Sequence, residues 1–207
     1  DGIVAAFRSA ASRMPRVDAI GVSSAGVFIG NAPMVSSLFI KVPREKRELV
    51  KTIYDRAARE LGDVPIVVAN DGDVTALAGA MGLECGSVMG MAMGTSEAVG
   101  YVDRDGNVLG WLNELAFAPV DLNEEAMADE WSTDRGVGCK YFSQDAVIKL
   151  APQAGIQLDE GLTPAEKLKV VQGLMEQDDA RAAAIYDSIG AYLAYTVVLY
   201  SQFYELR

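Results

Sequence analysis

Apolar residues recur at helical spacing at Ile3, Val4, Phe7, Ala10, Ala11 and Met14, which predicts a helix that Pro15 ends. Val17 to Val22 is short and mostly apolar and reads as a strand. It runs into Ser23-Ser24-Ala25-Gly26, a small-residue loop that serves either as a plain turn or as a place where backbone approaches a ligand. Val27 to Val42 keeps no clean period; Gly30-Asn31 and Pro33 punctuate it, and Leu38-Phe39-Ile40 is a short apolar patch. Arg44 to Leu61 reads as one amphipathic helix, with Leu49, Val50, Ile53, Tyr54, Ala57, Ala58 and Leu61 apolar and Gly62 past its end. A continuous apolar run over 64–69 predicts a buried strand, and an Ala-rich helix follows from Asp73 to Met81. This rhythm argues for an α/β sheet covered by helices.

After Gly82 the pattern changes. Ser87 to Trp111 holds three strand candidates with tight turns, closer to a β-meander. The boundary between the two regimes falls at residues 82–87, dividing the chain into 1–84 and 85–207. Glu124 to Asp134 is acidic and expected at the surface, and Arg135 to Cys139 is a Gly-rich turn. Tyr141 to Ala151 reads as a helix. Thr163-Pro164-Ala165-Glu166 is a helix start, with Thr163 as cap, Pro164 first and Glu166 closing a capping box; that helix runs to about Glu176. From Asp179 to the end the chain reads as one long helix with an apolar face, suited to a core role or to a homodimer interface.

The totals exclude several classes. The 207 residues are half hydrophobic, enough for a packed core. A net charge of −11 argues against nucleic acid and against anionic membranes as partners. With no histidine there is no Ser-His-Asp or Cys-His triad and no His-based metal site. Any general base is a carboxylate, Lys, Tyr or Cys. Two cysteines, Cys85 and Cys139, fit free thiols in a cytoplasmic protein. No uninterrupted apolar run reaches the roughly 20 residues that span a bilayer. The start at Asp1-Gly2 and the end within a helix are read as those of a piece of a longer protein.

Two polar sites stand at strand ends. Strand 64–69 stops at Asn70-Asp71, and the run Ser87 to Met93 stops at Gly94-Thr95-Ser96 before resuming at Ala98. A carboxylate at the carboxyl end of a strand and a Gly-Thr-Ser turn suit a base and a phosphate cradle for phosphoryl transfer. Asp71 equally suits a helix N-terminus, and the turn equally suits a hairpin. Glu97 places a charge beside that turn. Two like charges at 4 Å cost about 4 kcal/mol at an effective dielectric of 20, so Glu97 must turn away, meet a cation or weaken phosphate binding.

The order strand, Asn70-Asp71, Ala-rich helix, Gly94-Thr95 turn, Asp-Gly hairpin, Glu114, Gly-rich turn and helices resembles the ROK family of sugar kinases and repressors. The resemblance implies an α/β, RNase H-like fold of the actin/hexokinase/Hsp70 type, two-lobed around an ATP cleft, of which this chain is the truncated central part. It implies Asp71 as catalytic base and Asn70 and Glu114 as sugar ligands. It implies Gly94, Thr95 and Ser96 as the phosphate turn for ATP with Mg²⁺. Ser96 and Ala98 depart from the family's glycines. Phe117 stands where the family has a sugar-binding and zinc-binding His, and only Cys139 remains of its cysteine motif, so zinc is not expected. Ser37 replaces a sugar-binding Asn and is read as a surface or capping residue. The implied activity is ATP-dependent phosphorylation of a hexose or related sugar, with this piece alone expected to be inactive. The alternative is a non-catalytic sugar-binding repressor or a degenerate kinase.

Overall fold

The structure is a computed structural model and describes residues 2–206. The chain divides into two compact units, one up to Val74 and one from Thr75 onward.

The first unit opens with helix α1 (Gly2–Ala11), then strand β1 (Ile20–Ser24). β1 pairs in parallel with β4 (Ile66–Asn70), Ile20 opposite Ile66 through Ser24 opposite Asn70. Between them lies a hairpin, β2 (Val27–Ile29) and β3 (Ala32–Val35), in the stretch expected to be irregular. Its turn is Gly30-Asn31, and Pro33 within β3 hides the strand from a propensity reading. Asn31 then serves as an extra rung against β4: its side chain donates to Ile66 O at 3.2 Å and accepts from Val68 N at 3.0 Å.

The helix expected over Arg44 to Leu61 is broken. A 3₁₀ turn (Arg44–Lys46) and the short α2 (Arg47–Val50) precede α3 (Ile53–Arg59). The reason is packing. Tyr54, Ala57 and Ala58 of α3 are buried, whereas nothing in the first half is, and a short helix without a buried face has little to hold it.

Helix α4 (Asp71–Leu83) leads to the antiparallel hairpin β5 (Val88–Met93) and β6 (Glu97–Val102). The expected third strand of a meander is reduced to one bridge between Val102 and Val108. Ala76, Ala80 and Val102 are buried together with Leu77 and Val88 against them. Here Gly90 is required: a Cβ on it would stand 2.3 Å from the backbone N of Ala76.

Three helices complete the second unit: α5 (Gln144–Gln153), α6 (Pro164–Met175) and α7 (Ala180–Tyr200). Their caps are Ser143, Thr163 and Asp179, and the capping box of Thr163 and Glu166 forms as the sequence predicts. Val147, Ala151, Ile156, Val171, Ala182 and Ile185 make their shared core. By length and composition alone, α7, 21 residues with a mean hydropathy of 1.4, is apolar enough to cross a membrane, although Arg181 and Asp187 interrupt its apolar run. Its buried stripe of Ala182, Ile185, Thr196 and Tyr200 faces protein.

Two glycines should respond in opposite senses. Gly90→Ala is expected to lower stability by about 1–3 kcal/mol through overpacking. Gly190→Ala, on α7 with nothing within 4 Å of the new methyl, should raise it by about 0.5–1 kcal/mol. Urea denaturation of both variants checks the pair.

Candidate functional site

In the first unit the sequence-predicted residues Asn70 and Asp71 form the junction of β4 and α4. Asn70 is committed to the backbone. Its Nδ2 donates to Gly26 O at 2.8 Å, and its Oδ1 accepts from Gly72 N at 2.7 Å. The second bond caps α4. The first ties the junction to the loop between β1 and β2. Gly26 makes this possible: it has φ +125, and a Cβ would lie 2.3 Å from Val35 O. Asp71 follows as the first residue of α4, half-buried, with Asp73 in the same turn. Both carboxylates sit where the helix dipole favours negative charge. Ser37 is exposed, and the cap of the 3₁₀ helix Ser37–Phe39 is its neighbour Ser36.

In the second unit Gly94, Thr95 and Ser96 form the exposed three-residue turn between β5 and β6. Gly94 N donates to Ser96 O at 2.9 Å, and Gln144 N, opening α5, donates to Gly94 O at 2.9 Å. The turn is thus closed on itself and anchored to a helix start. A Cβ on Gly94 would find only Ser96 O, at 3.9 Å, so the space above it is open. Neither the Thr95 nor the Ser96 hydroxyl is held by another of the described residues.

Glu97 does not face that space. It is 5% exposed and points inward, on the same face of β6 as Val99 and Tyr101. Strand alternation carries that signal, since residues 97, 99 and 101 share a face. Both carboxylate oxygens are buried without a hydrogen-bond partner among the described residues. The side chain occupies the room that a Cβ on Gly138 would need, its Oε2 2.2 Å from that position. Burial pushes its pKa up to about 7.

Glu114 is exposed and directly precedes the 3₁₀ helix Leu115–Phe117, with its carbonyl accepting from Phe117 N at 3.1 Å. Phe117 packs on Ala116, Val137 and Cys139, and its ring lies 5.3 Å from that of Trp131. The Cys139 thiol is pushed up to about 12, first by burial and then by the charge of Asp129. It is an inert packing residue.

Sequence reading expects the acidic stretch 124–134 at the surface, but part of it is buried. Asp129 is 9% exposed, accepts from Trp131 N and Ser132 N, and stands 3.8 Å from the buried Lys140 ammonium. Lys140 also meets Glu130, and Asp145 at 2.7 Å. Burial works against its charge, but the bonds to Asp145 and Glu130 outweigh it and lift the ammonium above its ordinary value. A cavity of about 280 Å³ opens nearby between α5, α7 and residues 121–127, where Tyr141 and Tyr192 both donate to Asp121. None of the sequence-predicted site residues lines it. Among the described residues there is no group of three or more His, Cys, Asp or Glu side chains placed to hold a metal ion.

This α/β fold is similar to that of solved ROK family proteins. It is shared with a ROK family glucokinase from Streptomyces griseus, solved with glucose and AMPPNP, at TM-score 0.73 and 18% identity over 99% of this chain and 69% of that one. A ROK family transcriptional regulator, a homologue of the E. coli MLC protein, superposes at TM-score 0.70 and 15% identity over 98% of this chain and 51% of that one. A ROK hexokinase from Thermus thermophilus gives TM-score 0.60 and 17% identity over 96% and 66%. The chain therefore spans about half to two-thirds of the length of these structures. No protein-family profile matches it, and no curated protein does.

Asn70→Ala removes a helix cap and a loop tie together, and is expected to cost about 1–2 kcal/mol in denaturant titration. Glu97 makes stability depend on pH. Its folded value lies above the ordinary 4.5, so its contribution is complete below about 4.5 and lost as pH rises through about 7. Glu97→Gln should match wild type at low pH and exceed it by about 3 kcal/mol above pH 8, read from denaturation at a series of pH values.

Proposed function

We propose that this chain is part of an ATP-dependent sugar kinase that phosphorylates a hexose or related sugar. The observation that supports this best is Asp71. It is a half-buried carboxylate at the carboxyl end of a parallel strand, on a fold shared with a glucokinase solved with glucose and AMPPNP. Its neighbour Asn70 spends its side chain on holding the β4–α4 junction, which fixes where Asp71 stands.

The residues present fit a nucleotide's phosphates at the Gly94–Ser96 turn. The turn is open above Gly94, carries two hydroxyls, and has the carboxylate that follows it in sequence, Glu97, turned inward. Thr95 and Ser96 would hold the phosphates. ATP would supply the phosphoryl group, and Mg²⁺ would neutralise charge on its phosphates. Asp71 takes the proton from the attacking sugar hydroxyl, a poor nucleophile until that proton is accepted. Glu114 is assigned to the sugar as a hydrogen-bond acceptor, and Asn70 contributes by placing Asp71. The setting is cytoplasmic.

A second reading, a sugar-binding regulator without catalysis, draws on one observation: the transcriptional regulator superposes almost as well as the glucokinase, at TM-score 0.70 against 0.73.

The full-length protein, assayed for ATP turnover over a panel of hexoses, should phosphorylate at least one. Asp71→Asn should lose about 10²-fold or more in rate with sugar affinity by calorimetry little changed. Equal turnover in both would remove Asp71 from the mechanism. Sugar binding without turnover in the wild type would favour the regulator.

A further inference from the structure

Among the described residues Glu97 is a buried carboxylate with neither oxygen partnered, and it adjoins the Gly94–Ser96 turn. A buried polar group without a partner costs free energy and calls for an explanation. We propose that Glu97 is a positioning residue for the Gly94–Ser96 turn: as the neutral acid it keeps the turn in its phosphate-accepting form, and on ionising it leaves the interior and releases that form. The inference rests on the phosphate-holding role proposed for the turn.

The geometry ties the two together. Glu97 is the last residue paired across the hairpin, opposite Met93, and only three residues separate them. The turn has little slack, because Gly94 is bonded both to Ser96 and to Gln144. Carrying the Glu97 carboxylate from the inner face of β6 to solvent would disturb its pairing with Met93 and the adjoining Ser96. Outward movement also brings a negative charge toward the turn, where it would repel phosphate.

The groups that face Glu97 do not stabilise its ionised form. From the 3₁₀ helix Gly138–Lys140 comes the Cys139 thiol, itself held neutral, with Asp129 behind it at 3.7 Å from the sulfur. From α7 comes the Tyr200 phenol, which is raised by burial and by Glu97 and lies 3.4 Å from Leu115 O. The one buried cation of the region, Lys140, is taken up by Asp129, Glu130 and Asp145. Glu97 has no ion pair among the described residues.

The test follows backbone amide shifts of Gly94, Thr95, Ser96 and Gln144 and the Glu97 carboxyl carbon from roughly pH 5 to pH 9, on either side of the ordinary carboxylate range and neutrality. Calorimetry with Mg–ATP accompanies it on the full-length protein. In the wild type the carboxyl and the turn amides should titrate together near neutrality. The turn amides of Glu97→Gln should stay still. By pH 8 wild-type affinity for Mg–ATP should have fallen about tenfold relative to Glu97→Gln, a comparison that cancels the nucleotide's own ionisation. Turn amides that ignore the carboxyl titration in the wild type overturn the proposal, and need no folded variant. So do turn amides that titrate equally in both proteins, or equal affinities at all pH values. Coupled titration with no Mg–ATP binding at any pH would instead overturn the phosphate role of the turn.

Discussion

The side chain of Asn70 holds three pieces of backbone at once: the end of β4, the start of α4 and the loop at Gly26. A single amide can do this because it offers a donor and an acceptor on opposite sides of one planar group. The junction it fixes passes from strand to helix with no intervening residue. Ser24 and Tyr54 bond beneath it at 2.9 Å, and Asn31 fills the edge of β4 as a missing strand would. Asp71 owes its place to this arrangement. A residue that sequence reasoning assigns to substrate thus also has a structural part, holding the backbone from which Asp71 extends.

The second unit solves a different problem. It keeps a turn open while placing a carboxylate next to it. Strand alternation sends Glu97 inward beside Val99 and Tyr101, and the bare Gly138 makes the room. The electrostatic conflict foreseen from the sequence is avoided by burial, and the cost reappears as an acid held neutral. Of the three ways out, the chain takes the first, turning away.

Much of this was legible from residues alone where the signal is local. The capping box at Thr163 and Glu166 and the cap at Asp179 are complete within four residues, so the starts of α6 and α7 could be placed closely, whereas α7 stops at Tyr200, short of the end expected for it. The order of motifs was enough to reach the fold. What escaped depends on contacts far along the chain. The hairpin β2–β3 is held by Asn31 reaching residues 55, 66 and 68. The break before α3 reflects which face finds a partner, and a helical period cannot report that. Asp129 was read as a surface charge with its acidic stretch because the ammonium it meets, that of Lys140, lies well along the chain. Glu97 was half legible: alternation through β6 points it inward, but its charge argued for water.

The Lys140 cluster bears on how the protein answers its ionic surroundings. The Lys140 side chain is 6% exposed, whereas Arg8 and Glu60 of the first unit meet with more than half of each side chain in water. Dissolved ions reach the latter freely and the former hardly at all, because screening acts through solvent. Brine should therefore weaken the tie between α1 and Glu60 more than the contact between Lys140 and Asp129, whose side chains are both buried.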